Sequence, residues 1–190
     1  MSDAFYTDKA QVRRSFDQAA KTYDAAAVLQ REVAGRMLER LDLVKLQPRR
    51  VLDAGSGTGE VSKRLQARYP DARLIELDLA LSMLQLAAGK QGLLRRLMGK
   101  ANWQLCADVE AIPLADASVE LICSNLAIQW LNEPDRAFAE FHRVLAPEGL
   151  LMFSTFGPDT LLELRQAFAA ADDRPHVNRF IDMHDLGDAL

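Results

Sequence analysis

Two kinds of hydrophobic pattern follow one another along this chain. In the front segment apolar residues recur at helical spacing. Val12 and Phe16 stand four apart in a charged stretch from about Lys9 to Lys21, which predicts a short helix. From about Ala26 to Val44, Leu29, Val33, Met37 and Leu41 give one apolar stripe and a second helix, and Pro48 breaks the pattern. Beyond Pro48, short apolar runs alternate with helical stretches. The runs are Val51–Ala54, Arg73–Asp78, Trp103–Cys106, Val119–Ser124 and Gly149–Thr155. Between them lie Thr58–Tyr69 with Val61 and Leu65 on one face, and a helix carrying Met83, Leu86 and Ala87 with Ser82 as its expected cap. Pro134 opens a helix with Ala137, Phe138, Phe141 and Leu145 inward, and Thr160–Ala171 is a last helix.

Strands alternating with helices imply βαβ units and a mostly parallel sheet with helices on both faces, an α/β class. Ligands of such sheets sit beyond the carboxyl ends of the strands. The expected division is an N-terminal helical arm over 1–47 and a ligand-binding domain over 48–190.

Composition narrows the function. The 190 residues are 49% hydrophobic and 26% charged, ordinary values for a globular protein. The formal charge of −4 argues against a general nucleic-acid binder. It hides a basic front: residues 1–50 hold ten Lys and Arg against seven Asp and Glu. No apolar run is long enough to span a membrane, and no secretory leader is visible in MSDAFYTDKAQVRRSFD. Cys106 and Cys123 lie in strand-like runs without metal-ligand spacing. Buried free thiols and a reducing cytoplasm are therefore expected.

The first strand runs into Asp53-Ala54-Gly55-Ser56-Gly57-Thr58-Gly59 and then a helix. Glycines there allow close approach of a ligand to backbone. The spacing differs from the dinucleotide pattern and lacks the Lys-Ser/Thr of a phosphate loop. Asp53, two residues before the first glycine, suits an ammonium group better than a pyrophosphate. Asp78 ends the second strand about 20 residues on, where an acid can hold ribose hydroxyls. Glu76 is its rival on the same strand face. Together these features describe S-adenosylmethionine.

VLDAGSGTG, LIELDLALSML, LCADVEAIPLADASVELICSN and FHRVLAPEGLL resemble the successive motifs of class I S-adenosylmethionine-dependent methyltransferases. The resemblance implies a Rossmann-like fold. It assigns Asp53 to the glycine loop and the methionine amino group, Gly55, Gly57 and Gly59 to the loop, and Asp78 with Leu79 to the ribose. Asp108 and Val109 fall at the adenine, with Glu110 expected to face solvent. Asn125 falls beside the methionine moiety. The class normally has seven strands. Five are legible here, so the last two are expected to be absent and strand five to form an edge.

RRSFDQAAKTYDAAAVLQRE, SNLAIQWLNEPDRAF and the back segment with Gly157-Pro158-Asp159-Thr160-Leu161 and His176-Val177-Asn178-Arg179-Phe180 resemble the malonyl-acyl-carrier-protein O-methyltransferase family of biotin synthesis. That resemblance implies methyl esterification of the free carboxylate of a malonyl thioester on acyl carrier protein, or on coenzyme A. A malonyl carboxylate is ionised at pH 7 and needs no general base. Proximity and an in-line approach suffice, and no triad, dyad or metal cluster is expected. Arg179 is the candidate to hold the carboxylate bidentately, the other reading being a salt bridge with Asp172 or Asp173. Arg143 competes, but a structural ion pair is expected of it. Tyr23 would fold over the site as part of an N-terminal lid and bond a substrate oxygen, or staple the arm. Trp130 would wall the acyl pocket or pack the core, and His176 would contact substrate. His142 and His184 are expected to be structural or exposed. The acidic carrier would dock on a basic patch, either Arg13, Arg14, Lys21 and Arg31 or Lys90, Arg95, Arg96 and Lys100. The same cofactor motifs would serve a methyltransferase for a quinone carbon or another free acid. They would equally serve a relative of the arginine hydroxylases, or a non-catalytic binding module. A monomer is expected.

Overall fold

A computed structural model describes residues 7–97, 99–172 and 180–190. Its centre is a five-stranded, wholly parallel sheet in the order β3-β2-β1-β4-β5. The strands are β1 (Arg50–Ala54), β2 (Arg73–Asp78), β3 (Trp103–Cys106), β4 (Val119–Asn125) and β5 (Leu145–Ser154). Parallel strands need crossover helices, which bury both faces of the sheet. On one face α2 (Val28–Glu39) and α3 (Glu60–Arg68) pack Ala34, Met37, Leu38, Val61 and Leu65 against Val51, Leu74 and Leu121. On the other, α6 (Pro134–Val144) packs Ala137, Phe138, Phe141 and Val144 against Leu52, Ile75 and Ile122. The expected α/β Rossmann-like class is observed, with fewer strands than the usual seven and β5 at one edge.

The arm departs most from expectation. The first helix, α1, runs Lys9–Ala26, well beyond Lys21, and the chain bends at Ala27 before α2. Nothing in the run of alanines there opposes a continuous helix; tertiary contacts override propensity. Asp24 is held by Thr58 and Lys90, and the carbonyl of Gln30 accepts from Asn125 Nδ2. The bend exposes Leu29 at 52%, so the predicted stripe reaches the core only through its later residues, Met37 and Leu41. A 3-10 turn, Arg40–Leu43, ends the segment.

Two further expectations are corrected. The helix α4 (Leu81–Lys90) is not capped by Ser82; its backbone N–H donates to Asp17 of α1 at 2.9 Å, and Asp78 accepts from the N–H of Ala80 at 2.8 Å. Cys123 is buried between strands, but Cys106 is exposed, because β3 is an edge strand. The chain continues through α5 (Leu93–Leu97), α7 (Leu162–Ala169) and α8 (Met183–Asp188). Among the described residues no helix is long and apolar enough to cross a membrane.

Candidate functional site

The glycine turn joins β1 to α3 at the carboxyl end of the sheet. Gly55, Gly57 and Gly59 take φ values of +78°, +53° and +84°, a region that side chains disfavour. A Cβ on Gly55 would stand 2.3 Å from the Cβ of Ala127. Gly57 differs: its Cβ would meet only the ring of Tyr23, at 4.0 Å, so this part of the turn opens to a ligand. The N–H groups of Gly55 and Ser56 donate to the carbonyl of Leu77, and that of Gly57 donates to Asp78 Oδ2 at 2.8 Å. The turn is thereby knitted to the end of β2.

Three carboxylates are packed beneath and beside the turn. Asp53 is fully buried and faces α3, where Ser62 donates to its Oδ2 at 2.6 Å. Its Oδ1 is buried without a hydrogen-bond partner. Burial, and then the neighbouring Glu76, push its carboxyl up to about 7 against the pull of Ser62. The parallel register places Asp53 beside Glu76. Glu76 is buried and accepts from Asn102, at 2.7 Å, and from Gln104. The Asp78 carboxyl is raised chiefly by burial, opposed by the N–H groups of Ala80 and Gly57. A ligand ammonium would satisfy the orphaned Asp53 oxygen.

Asp78, Leu79, Asp108, Val109, Asn125 and Trp130 line one cavity, together with Gly55, Gly57 and Tyr23. The structure thus gathers these candidates from five separate stretches, but Gly59 lines only the larger neighbouring cavity and Asp53 lines neither. Glu76 lines a different cavity and shares none of the space beside Asp108. The first cavity is about 100 Å³, and α1 forms part of its wall. Lys9, Val12, Phe16 and Tyr23 share one helix face and point into it. Phe16 sets its ring edge against Trp130, with centroids 5.5 Å apart, and against Tyr23 at 6.2 Å. Burial, and then Asp78 and Asp24, raise the Tyr23 hydroxyl pKa. A second cavity of about 520 Å³ meets the first at Tyr23, Gly55, Gly57 and Asn125.

Lys9 is the residue the sequence reading missed. Its Nζ lies 2.5 Å from Asp108 and 2.6 Å from Glu110. The signal was available: Lys9 falls three and seven residues before Val12 and Phe16, on the same helical face. Glu110 was expected to face solvent, yet it is buried and accepts from the N–H groups of Asn132 and Glu133, which open α6. Asn132 in turn bonds the backbone of Thr7 at 2.7 and 3.0 Å. Asn125 Oδ1 accepts from Ser154, whose hydroxyl also accepts from the N–H of Leu126, a residue at φ +51°.

Arg143 makes the expected structural pairs, with Glu140 at 2.7 Å and Asp116 at 2.8 Å, and it holds the carbonyls of Ile112 and Leu114. His142 and His184 are exposed. Arg13, Arg14 and Lys21 lie exposed along α1. Arg179 and His176 lie outside the described residues, as does Asp173. Among the described residues no cluster of His, Cys, Asp and Glu could hold a metal.

Comparison with known proteins adds an independent line. Residues 52–153 match the family model described as a methyltransferase domain. Curated relatives named malonyl-[acyl-carrier protein] O-methyltransferase include one from Laribacter hongkongensis, 62% identical over all of this chain and 65% of its own length. Another, from a Methylovorus species, is 60% identical over all of this chain and 64% of its own. The chain thus spans just under two thirds of the length of the curated relatives it matches. A solved complex of a methyltransferase with the Trm112 methyltransferase activator of Haloferax volcanii superposes with a TM-score of 0.75. It is 20% identical and covers 94% of this chain and 73% of that one, a likeness of fold. A [4+2]-cyclase has the same fold at a TM-score of 0.63 and 23% identity, so fold alone does not choose the chemistry. The family match covers the sheet and the glycine turn at its centre, and the chain belongs to the methyltransferase-domain family.

Proposed function

We propose that this chain binds S-adenosylmethionine and directs its methyl group to the free carboxylate of a malonyl thioester carried on acyl carrier protein. One observation carries the cofactor half. A fully buried carboxylate, Asp53, has an oxygen without a partner beside a glycine turn that opens at Gly57. Such an oxygen is costly unless a donor meets it, and although Asp53 lines neither cavity, the methionine ammonium entering at the turn above it would be that donor. Asp78 would accept from the ribose hydroxyls and Asp108 from the adenine amino group, with Leu79 and Val109 against the rings. Asn125 would sit beside the methionine moiety. Relatives at 50–62% identity support the acceptor half, since each bears the name malonyl-[acyl-carrier protein] O-methyltransferase.

Bound S-adenosylmethionine would supply an electrophilic methyl group on a sulfonium. The chain's own residues would do the rest. The malonyl carboxylate arrives ionised, so no residue need take a proton. Tyr23, Phe16 and Trp130 would exclude water and hold the acceptor in line, the term that proximity catalysis demands. The raised Tyr23 pKa keeps its hydroxyl protonated and able to donate to a substrate oxygen. Arg179 remains the candidate to fix the carboxylate. A single copy supplies every residue named here, so the reading needs no second chain.

Two experiments test the halves separately. Calorimetric titration with S-adenosylmethionine should give saturable binding that Asp78→Ala weakens; absence of binding to the native chain would overturn the cofactor half. After transfer of labelled methyl to malonyl-carrier protein, mild base should release the label, as an ester requires. Label that survives base would point to a carbon or nitrogen acceptor.

A further inference from the structure

The mouth of the second cavity is built from cations that the cofactor reading leaves unused. This cavity lies beside the glycine turn, bounded by α3, α4 and the bend between α1 and α2. Arg31, Lys63, Lys90 and Arg95 line it. Lys90 is engaged, 2.6 Å from Asp24 and 2.9 Å from the carbonyl of Thr58. The other three form no carboxylate ion pair within 4 Å among the described residues, although Arg31 adds to the pull of Lys90 and Thr58 on the Asp24 carboxyl. Arg31 donates to the carbonyl of Asp24, and Arg95 to that of Lys100 at 2.7 Å. The carboxylates on the same wall are already satisfied: Asp24 by Lys90, Glu60 by Arg64 at 2.9 Å, and Glu76 by two side-chain amides. The fold thus brings Arg31 from one basic cluster of the sequence and Lys90 and Arg95 from the other to one opening, and adds Lys63. Four cations against three carboxylates line the cavity, and Lys90 and Arg64 pair two of those carboxylates, so the concave mouth keeps a modest positive excess that fits an anion.

The wall carries a second signal. Gln66 Oε1 and Gln91 Nε2 are both buried with no hydrogen-bond partner, and both residues line this cavity. One is an acceptor and the other a donor, so each would complement one side of a ligand amide once its side chain turns the covered atom toward the cavity. Leaving them unmet is costly.

We propose that this cavity seats the amide-bearing arm of an acyl thioester, with Arg31, Lys63 and Arg95 holding the phosphate ester that ends the arm. The proposal rests on the thioester reading above. A pantetheine arm has two amides and, in its natural carriers, a phosphate ester at the far end. Gln91 donates to an amide carbonyl and Gln66 accepts from an amide N–H. A volume of about 520 Å³ is ample for such a chain. At its inner end the cavity shares Tyr23, Gly55, Gly57 and Asn125 with the first one, which brings the acyl group to the wall beside the methyl-donor position. The phosphate ester has two sources, the carrier protein and coenzyme A.

The test is equilibrium binding of malonyl-pantetheine, malonyl-coenzyme A and malonyl-carrier protein to the native chain and to a Lys63→Met/Arg95→Met variant, with the acetyl forms alongside. In the native chain a phosphate-bearing form should bind about tenfold or more tightly than the pantetheine form. The variant should lose that preference and keep its affinity for S-adenosylmethionine. A gain with the carrier alone assigns the phosphate to the carrier; an equal gain with coenzyme A assigns it to either source. Equal binding of all three forms, or an unchanged preference in the variant, would overturn the proposal. So would a parallel loss of S-adenosylmethionine binding, which would return the cations to the cofactor. Failure of the malonyl reading looks different: the phosphate preference would persist in both acyl series, while the malonyl forms would bind no tighter than the acetyl forms and would not be methylated.

Discussion

Asp53 has one oxygen held by Ser62 and one that nothing meets, and burial beside Glu76 lifts its carboxyl from the ordinary 3.8 to about 7. The raised value has a definite sign. The folded chain keeps this proton over a range in which the unfolded chain has lost it. The stability the neutral acid contributes is therefore full below pH 3.8 and is lost as pH rises through about 7. The ligand needs the opposite, an ionised carboxylate for its ammonium. Affinity for S-adenosylmethionine should thus fall as pH drops below about 7, with the slope of one proton, in calorimetric titrations across pH. Asp53→Asn should raise the melting temperature at pH 8 but not near pH 4, and should weaken the cofactor about tenfold or more at pH 8. Equal affinity in that variant would remove Asp53 from the ligand's contacts. At pH 8 Glu76→Gln should leave the cofactor affinity near native, since the Glu76 carboxylate is turned to Asn102 and Gln104, and below about pH 7 it should strengthen binding by letting Asp53 ionise more readily. At this scale the glycine turn, Asp53 and Asp78 were legible from spacing, whereas Leu79, Asp108, Val109 and Asn125 were placed by family resemblance. The burial of Glu110 was not legible, because its partners, Lys9 and the N–H groups of Asn132 and Glu133, come from distant stretches.

The helix α1 is the element that closes the site, and its N-terminal turn is pinned by Lys9 between Asp108 and Glu110. Lys9→Met would leave Glu110 buried with one partner fewer, at a cost of about 1–2 kcal/mol for so partly exposed a group. Limited proteolysis should then cut within α1 sooner than in the native chain, and Lys9→Arg should restore resistance. An unchanged cleavage rate would show that Phe16 and Asp17 hold the helix without Lys9. The turn itself is less forgiving. Gly55→Ala would drive a methyl into Ala127 and force a strained φ, so a loss of about 2 kcal/mol or more is expected in denaturant unfolding. The central strands β1, β2 and β4 and the inner face of α6 could be read from pattern, because they are buried along nearly their whole length. The break at Ala27 could not. It follows from Asp24 and Gln30 reaching Thr58, Lys90 and Asn125, contacts that no local pattern records.

Across the whole molecule, the parallel sheet collects the ends of β1, β2, β3 and β4 on one side, and every described candidate for the cofactor lies there or on α1. The parallel sheet was legible from the alternation of strands and helices, since crossover connections leave few arrangements open. The second cavity was not, because its walls draw on α2, α3 and α4 together. The account stands or falls on the acceptor. The most direct measurement is methyl transfer by this chain from labelled S-adenosylmethionine to malonyl-carrier protein, with acetyl-carrier protein as the comparison. Label on the malonyl form alone is the predicted result, because only that form presents a free carboxylate. Equal labelling of the acetyl form, or none of the malonyl form while S-adenosylmethionine is bound, would contradict it.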